Sequence, residues 1–230
     1  MNEIGICLLC GNVLNNEINF AKLFKSPKLL LCDDCRLGLE PVKGGCVRCG
    51  KKTKDTICDD CLYWEKITLT KDIVITNYSL YYYNNLARLF MRKLKFLGDA
   101  FLISAFKPEI RAFFKNITSK KTYLVPVPIH PDRLFERGFN QSLWICKIAG
   151  LPILDFIKKN NNEKQSKKKK EERIILDNQY YVEENPDLTG SNIIIVDDIY
   201  TTGATVHKIA LLLHASCNAK NIISFTLFRS

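Results

Sequence analysis

Residues 193–205 read Ile-Ile-Ile-Val-Asp-Asp-Ile-Tyr-Thr-Thr-Gly-Ala-Thr, and this string indicates more about the fold than any other part of the chain. Its four apolar residues are strong β-formers, and such a continuous run is typical of a buried strand in a parallel sheet. The small residues after Tyr200 lead into an apolar periodic segment that predicts a helix. Open α/β sheets bind their ligands at the edge where parallel strands end. We therefore expect a binding site at this point of the chain.

The polar residues of the string suit a phosphorylated sugar. A loop of small residues that runs into a helix N-terminus presents backbone N–H groups to a phosphate. Asp197 and Asp198 suit sugar hydroxyls or a divalent cation. An ordinary helix cap is the alternative, but a cap needs one Asp, Thr or Gly and the string supplies six. No Lys-Ser/Thr pair follows Gly203, which argues against a nucleoside-triphosphate loop. The string closely resembles the phosphoribosyl-pyrophosphate (PRPP) motif of type I phosphoribosyltransferases.

The length of the chain, 230 residues with 47% hydrophobic side chains, is enough for one ordinary domain and a small one. No apolar run reaches the roughly 18–20 residues that span a bilayer, and residues 1–11 show no secretory signal. We therefore expect a cytoplasmic protein. Strands near residues 73, 123, 193 and 222 alternate with helices, which predicts an α/β fold with a mostly parallel sheet.

The formal net charge of +10 lies in one part of the chain. Residues 1–65 contain nine Lys/Arg and nine Asp/Glu, whereas residues 66–230 contain 25 Lys/Arg and 15 Asp/Glu. A basic segment favours polyanions such as nucleic acid, phosphates or an acidic membrane surface. Scattered lysines also simply keep proteins in solution, so charge alone leaves nucleic-acid binding open.

Eight of the ten cysteines fall before residue 62 in four Cys-x-x-Cys pairs. They are Cys7/Cys10, Cys32/Cys35, Cys46/Cys49 and Cys58/Cys61. In a cytoplasmic chain this spacing indicates zinc rather than disulfides, because two such turns complete a tetrahedral four-cysteine site. A thioredoxin-like redox pair is the alternative for a single Cys-x-x-Cys, but four pairs without a βαβ pattern argue against it. We expect a structural metal, since four cysteines leave no open catalytic position.

The pairing of these cysteines stays open, because sequential and cross-braced arrangements use the same residues and give one or two zinc sites. The segment has little core of its own, so metal binding would supply much of its folding free energy. We predict a Cys-rich zinc-finger domain over residues 1–65 and an α/β domain over residues 66–230.

The middle of the chain contains a basic amphipathic helix. After a short strand at Ile73–Ile75, apolar residues recur at helical spacing from Leu86 to Leu97. Its cations, Arg92, Lys93 and Lys95 among them, are candidates for a nucleic-acid backbone or a membrane surface. The alternative is a helix that packs its leucines inward and solvates its cations. A second helix is predicted from Phe101 to Phe114, interrupted near Pro108.

Two further segments carry cations that suit a polyanion. A strand over Tyr123–Ile129 leads into a loop with Arg133 and Arg137, whose guanidinium forks suit a pyrophosphate. Either arginine alone is as readily a surface charge. Residues 158–173 are polar and charge-dense, which predicts a mobile loop. Four adjacent lysines in this loop suit a nucleic-acid backbone or a lid that closes over a bound anion. They are Lys167, Lys168, Lys169 and Lys170.

Several separate stretches together resemble the ComF family of phosphoribosyltransferase-like proteins. They are the four cysteine pairs, Arg137-Gly-Phe-Asn-Gln141, Asn162-Glu-Lys-Gln-Ser-Lys-Lys-Lys-Lys170, the string at 193–205 and the ending Ser224-Phe-Thr-Leu-Phe-Arg-Ser230. The resemblance covers essentially the whole chain. It implies a zinc-finger domain joined to a type I phosphoribosyltransferase fold. It also implies a role in natural transformation, with binding of single-stranded DNA and of a ComFA-type helicase at the DNA-uptake machinery, at the inner face of the membrane.

Carried over by position, the resemblance assigns a role to each residue of the motif. Asp197 and Asp198 would hold the ribose hydroxyls of PRPP, and a Mg²⁺ ion would bridge ribose and pyrophosphate. The residues expected around the 5′-phosphate are Thr201, Thr202, Gly203, Ala204 and Thr205. Arg133 and Arg137 are candidates for the pyrophosphate side. A transferase also needs an acceptor, and the sequence shows no recognisable hood that reads a base. The competing hypotheses are thus a DNA-uptake accessory protein, an active phosphoribosyltransferase and a zinc-dependent regulator.

Overall fold

A parallel sheet of four strands lies at the centre of the structure. The computed structural model describes residues 5–14, 30–67, 73, 75–96, 98–117, 121–160 and 179–230. In chain order its elements are β1 (Gly5–Ile6), β2 (Val13–Leu14), α1 (Asp33–Leu37), α2 (Asp59–Lys66), β3 (Asn77–Tyr82), α3 (Asn85–Phe96), a 3-10 helix (Ala100–Phe106), α4 (Lys107–Ile117), β4 (Thr122–Pro126), α5 (Pro131–Arg137), α6 (Gln141–Ala149), β5 (Ile157–Lys159), β6 (Tyr180–Val182), β7 (Asn192–Tyr200), α7 (Ala204–Cys217) and β8 (Asn221–Arg229).

The sheet has the strand order β3-β8-β7-β4, and all three pairings are parallel. The apolar run of β7 alternates between its two faces, as side chains of a strand must. Ile194 and Val196 enter a core with α3, the 3-10 helix, α4 and α6, whereas Ile193 and Ile195 enter a second core with α7. The predicted buried parallel strand and the α/β fold class are therefore confirmed. No helix among the described residues is long and apolar enough to cross a bilayer.

The basic helix packs its apolar face inward. Phe90 and Leu94 of α3 are fully buried, and Phe90 contacts the rings of Phe106 and Phe228. Pro108 lies at the second position of α4, where a proline removes no helical hydrogen bond, and a 3-10 turn precedes it. The predicted interruption near Pro108 is therefore confirmed as the junction of two helices.

Two local predictions are wrong. The first strand of the sheet is Asn77–Tyr82 and not Ile73–Ile75, although Ile73 and Ile75 are buried. The apolar residues at 73–75 were the only basis for predicting a strand there. The strand begins at Asn77 because its register places Asn77 beside Ser224 of β8, where the Ser224 hydroxyl donates to the Asn77 side chain at 2.9 Å.

Arg133 and Arg137 were expected in a loop, but they lie on α5. Pro131 occupies the first turn, and the His130 ring accepts a hydrogen bond from the Asp132 amide at 3.3 Å. Gly138 ends the helix in a left-handed conformation. Local capping thus forms a helix that hydrophobic periodicity did not indicate.

The cysteine-rich segment packs directly on the α/β part of the chain. Cys7 and Cys35 belong to the first core and Cys49 and Cys61 to the second. Residues 40–42 run along β3. The Tyr82 amide donates a hydrogen bond to the Glu40 carbonyl, and the Val42 amide donates one to the Leu80 carbonyl. The division at residue 65 stays a prediction.

Candidate functional site

Asp197 and Asp198 lie on the part of β7 that extends beyond one of its neighbours. The pairing with β4 ends at Val196, opposite Pro126, whereas the pairing with β8 continues to Tyr200. The strand thus continues past the acids to Tyr200 instead of ending at them. On the β4 side of this extension the edge of the sheet is open, so the carboxylates are only partly buried.

The Asp197 carboxylate is held from two sides. Its Oδ1 accepts a hydrogen bond from the Ser142 hydroxyl at 3.1 Å and one from the Asp198 amide at 2.9 Å. Ser142 lies within hydrogen-bonding distance of Asp197 because Asn140 caps α6. The Asn140 Oδ1 accepts a hydrogen bond from the Ser142 amide, and the Asn140 Nδ2 donates one to the carbonyl of Val127, which follows β4. This N-cap orients the Ser142 side of the site.

The two acids stand in an environment that disfavours two negative charges. Burial, and then the charge of Asp198, raise the pKa of Asp197 to about 7. Burial also raises the pKa of Asp198, while the charges of Lys95 and Arg137 oppose that rise. The Lys95 Nζ lies 3.8 Å from the Asp198 Oδ2. A divalent cation or hydroxyl donors would relieve the repulsion between the like charges.

Other cations surround the pair. Burial lowers the pKa of Arg137, and the neighbouring Arg133 lowers it further, while Asp198 raises it. Burial lowers the pKa of Lys159 too, with Arg133 and Lys208 acting in the same sense and Asp197 in the opposite one. These groups are therefore within electrostatic range of each other. The site combines two acids with several cations, as a magnesium-bound polyphosphate requires.

The predicted phosphate loop follows directly. Thr201 and Thr202 are exposed, and α7 begins at Ala204 after Gly203. Gly203 has φ +84°, and a Cβ there would lie 2.3 Å from the Tyr200 hydroxyl oxygen. Only glycine fits this turn. The N-terminus of a 14-residue helix thus faces the same edge of the sheet as the two acids.

The carbonyl groups of the loop are bound from behind. The Arg229 Nη1 donates to the Tyr200 carbonyl at 3.1 Å and to the Thr201 carbonyl at 2.9 Å. The same guanidinium reaches the cysteine-rich segment, where Nε donates to the Cys49 carbonyl at 2.9 Å and Nη2 to the Cys49 Sγ at 3.2 Å.

The carbonyls of Thr202 and Gly203 also accept hydrogen bonds from side chains. The Trp64 indole Nε1 donates to the Thr202 carbonyl at 2.7 Å. The His207 amide and its Nδ1 both lie 2.9 Å from the Gly203 carbonyl, so Nδ1 carries the proton. The Trp64 and His207 rings are stacked at 4.4 Å, and burial lowers the pKa of His207 to about 4. These contacts occupy the carbonyl side of the loop.

The cations predicted to bind nucleic acid on α3 occupy different places. Lys95 lies at the candidate sugar-phosphate site, and the Lys93 Nζ donates to the Leu8 carbonyl at 3.3 Å in the cysteine-rich segment. Arg92 is exposed on α3. Of the three, Arg92 thus keeps the solvent-facing position that a nucleic-acid contact requires.

The lysine run predicted to bind nucleic acid lies outside the described residues. It comprises Lys167, Lys168, Lys169 and Lys170, so their assignment to DNA stays a prediction. The segment that carries them starts and ends at the β5–β6 ribbon, where the Asn160 amide donates to the Gln179 carbonyl at 2.9 Å. Lys159 at the end of β5 is within electrostatic range of Asp197, so both ends of this segment lie near the candidate site.

The eight N-terminal cysteines form two groups of four. They are Cys7/Cys10/Cys32/Cys35 and Cys46/Cys49/Cys58/Cys61, and within each group all four sulfurs lie within 4.8 Å of one another. The pairing is therefore sequential and not cross-braced.

Sulfur geometry and backbone contacts both fit zinc. The Cys49 and Cys58 sulfurs are 3.5 Å apart, close to the edge of a tetrahedron with Zn–S bonds of about 2.3 Å. Backbone amides also point at sulfurs, as those of Cys35 and Cys58 do at 3.5 and 3.4 Å. Cysteine sets of this kind would hold structural zinc ions.

Five residues of the site escaped the sequence-based prediction: Ser142, Lys159, Trp64, His207 and Arg229. Each is distant in sequence from the string at 193–205 or belongs to a type that has many ordinary uses. One signal was present, an arginine in an apolar terminal strand, because such a residue needs several partners. The other two cysteines, Cys146 and Cys217, are buried in the cores.

Comparisons with known proteins agree with this architecture. A family model described as phosphoribosyl transferase domain matches residues 143–230. Competence protein ComFC of Bacillus subtilis is 37% identical over 230 residues, covering 98% of this chain and 95% of that protein. Competence protein ComFC of Streptococcus pneumoniae is 30% identical over 226 residues, covering 97% and 99%.

The fold and the site thus define an α/β protein of the phosphoribosyltransferase type that carries two four-cysteine groups. Its similarity to both relatives extends over nearly the full length of each chain. The chain belongs to the ComF family of phosphoribosyltransferase-like proteins, represented by ComFC. Both relatives are named competence proteins, which supports a competence-related role.

Proposed function

We propose that this protein is an accessory factor of natural transformation that binds PRPP with Mg²⁺ and single-stranded DNA and associates with a ComFA-type helicase. One observation carries the PRPP proposal: two adjacent acids, a phosphate-binding turn and a ring of cations meet at one edge of the sheet. Uptake of DNA is suggested by the competence proteins that the chain resembles over almost its whole length.

In this proposal the groups of the site divide the ligand between them. Asp197 and Asp198 would take the ribose hydroxyls and help to hold Mg²⁺, which would neutralise part of the charge of the pyrophosphate. The N–H groups and hydroxyls of residues 201–205 take the 5′-phosphate. Arg133 and Arg137 take the pyrophosphate, because a guanidinium matches two phosphate oxygens at once. The Lys95 charge favours the ionised form of Asp198 and so opposes the rise in its pKa that burial causes.

A calorimetric titration of the full chain with PRPP in the presence of Mg²⁺ tests this assignment. Asp197→Asn and Asp198→Asn should each weaken binding about tenfold or more, because each removes a charged acceptor from a ribose contact. Glu184→Gln is the matched control, since Glu184 is an exposed carboxylate outside the string at 193–205. The absence of PRPP binding by the unaltered chain would remove the proposal.

The DNA proposal rests on the distribution of charge. All of the excess positive charge lies in residues 66–230, and the lysine-rich segment there begins and ends beside the candidate site. Each Lys–phosphate contact adds to the salt dependence of binding. The binding constant for a fluorescent single-stranded oligonucleotide is therefore measured over a range of salt concentrations. A plot of its logarithm against the logarithm of the salt concentration should become less steep when four lysines are replaced by alanine: Lys167, Lys168, Lys169 and Lys170.

Matched variants separate the DNA surfaces. Lys43→Ala and Lys54→Ala, in the electrically neutral N-terminal segment, are the controls for the lysine replacement. An unchanged slope in the Lys167–Lys170→Ala variant would remove the lysine segment from the DNA surface. Arg92→Ala tests α3 separately, because Arg92 is the exposed cation of the three predicted there. Adding PRPP during the same titration decides whether the two anions compete.

The helicase proposal needs a direct binding measurement. A purified ComFA-type helicase should bind the metal-loaded chain in a sedimentation experiment, and removal of zinc by a chelator should abolish binding if the cysteine-rich segment forms the contact. Binding that survives chelation would place the contact on the α/β part of the chain.

An active phosphoribosyltransferase is the second candidate, favoured by the Asp197 carboxyl, whose pKa of about 7 suits a general base. In that reaction the bond between the anomeric carbon and pyrophosphate breaks, a bond to the acceptor nitrogen forms, the acceptor proton is lost and pyrophosphate leaves. Pyrophosphate release upon addition of free nucleobases or amines, lost in Asp197→Asn, would establish it.

A further inference from the structure

The C-terminal arginine of the sheet joins the second cysteine group to the phosphate loop. Arg229 is 1% exposed, and its guanidinium contacts both sides with separate nitrogens. Nη1 donates to the Tyr200 and Thr201 carbonyls, while Nε and Nη2 donate to the carbonyl and the Sγ of Cys49. A buried guanidinium is costly unless its donors are used, so the two sets of contacts depend on each other.

A second connection runs parallel to the first. The second cysteine group is completed by Cys58, which precedes α2, and Cys61 in its first turn. Trp64 lies one turn further along the same helix, where its indole donates to the Thr202 carbonyl and stacks on His207. His207 in turn binds the Gly203 carbonyl. Three successive carbonyls of the loop, those of residues 200–202, are thus bound by Arg229, which contacts Cys49, and by Trp64, which follows Cys61. The fourth, that of Gly203, is bound by His207, which stacks on Trp64.

These contacts determine which side of the loop faces the ligand. A peptide unit carries its N–H and its C=O on opposite sides, so partners that bind the carbonyls from behind favour N–H groups that point to the open side. The open side is where Asp197, Asp198 and the N-terminus of α7 meet. A loop whose N–H donors are already oriented before the ligand arrives binds it more tightly, because the loop loses less conformational entropy on binding.

We infer that Arg229 and Trp64 are positioning residues through which a metal held by Cys46, Cys49, Cys58 and Cys61 sets the affinity of the phosphate loop for a phosphorylated sugar. The inference rests on the proposed PRPP binding. The Cys49 backbone and the start of α2 would be fixed in place when these four cysteines hold a metal, and Arg229 and Trp64 would transmit that position to the carbonyls of residues 200–202. The first cysteine group has no such connection among the described contacts; its Arg36 pairs with Glu109 on α4, at 2.6 Å.

The test compares Arg229→Lys with Arg36→Lys in the full, zinc-loaded chain. A lysine keeps the positive charge but cannot span the four acceptors on the two sides, which are the Tyr200, Thr201 and Cys49 carbonyls and the Cys49 Sγ. Metal content should stay equal to that of the unaltered chain in both variants. The dissociation constant for Mg²⁺–PRPP should rise about tenfold in Arg229→Lys, which corresponds to about 1.4 kcal/mol, and stay within twofold in Arg36→Lys.

Binding must also act in the reverse direction. Since coupling between the affinities of two sites is reciprocal, saturating PRPP should raise the affinity for one zinc equivalent, measured at equilibrium against a competing chromogenic chelator, about tenfold in the unaltered chain and have no effect in Arg229→Lys. Equal PRPP affinity of Arg229→Lys and the unaltered chain, or a zinc affinity that does not change with PRPP, would overturn the inference.

A third readout does not require PRPP. Amide hydrogen exchange at residues 204–210, the first turns of α7, should accelerate when zinc is removed from the unaltered chain and be fast already in zinc-loaded Arg229→Lys. Unchanged hydrogen exchange after zinc removal would overturn the coupling, whether or not the chain binds PRPP. Absence of PRPP binding, by contrast, would contradict only the proposed function. If Arg229→Lys fails to fold, Trp64→Phe replaces it: the stack on His207 is kept, the donor to Thr202 is lost, and a few-fold weaker PRPP binding is expected.

Discussion

The raised pKa of Asp197 makes a quantitative prediction for the pH dependence of PRPP binding. A pKa of about 7 leaves roughly a tenth of the carboxyl groups ionised at pH 6 and about nine tenths at pH 8. If the ribose hydroxyls and Mg²⁺ bind only the ionised pair, affinity for Mg²⁺–PRPP should rise about tenfold between these pH values. Each binding event below pH 7 should also release a proton.

The pH dependence is separable from that of the ligand, whose own phosphates titrate near pH 6. Asp197→Asn should remove the contribution of the protein and leave that of PRPP. Ser142→Ala should shift the rise to higher pH, because the Ser142 hydroxyl donates to Asp197 and so lowers its pKa. Calorimetry in two buffers with different ionisation enthalpies counts the protons released.

The same carboxyl affects the stability of the protein without ligand. Its pKa is higher in the folded state than in the unfolded chain, so between roughly pH 4 and 7 the folded state binds more protons. Its contribution to stability is therefore present below the ordinary carboxyl pKa and lost as pH rises to about 7. The melting temperature of the unaltered chain should fall, relative to that of Asp197→Asn, over this range. Identical pH profiles of the two proteins, in melting temperature and in PRPP affinity, would refute the reasoning.

Three further predictions concern the loop, the metals and the stack behind the loop. Gly203→Ala should lose PRPP binding and at least about 1 kcal/mol of stability, because its Cβ would overlap the Tyr200 hydroxyl at a positive φ; thermal unfolding and calorimetry measure both. Chelation of zinc should lower the melting temperature by several degrees or abolish cooperative unfolding, since both cysteine groups contribute to the cores; calorimetric unfolding with and without chelator would show it. Below pH 6.5 the protein should lose stability as pH falls towards 4, because buried His207 resists protonation; His207→Gln should lose less over that range in a melting series.

Much of the site was predictable because its chemistry is local in sequence. One string supplied the strand, the two acids, the glycine turn and the helix start, and the structure has them in this order, although the strand continues through the acids to Tyr200. The cysteine pairs were equally clear, since their spacing is itself the geometry of a metal knuckle. Two predictions were wrong: the position of the first strand, and a loop at Arg133 and Arg137. The register against β8 and the helix cap at His130 outweigh hydrophobic periodicity at these places.

The sequence by itself determined the α/β class, the glycine turn after β7 and the presence of cysteine pairs that could hold a metal, because each depends on residues close together in the chain. Only the tertiary structure decided how these parts combine. The grouping of the cysteines, the place of Lys95 beside Asp198 and the links from Arg229 and Trp64 to the loop all join residues far apart in sequence. Such contacts follow from the packing of the cysteine-rich segment on the sheet, and no local pattern encodes them. The string at 193–205 therefore specifies a glycine turn between a strand and a helix, whereas residues far away in the sequence bind the carbonyl groups of that turn.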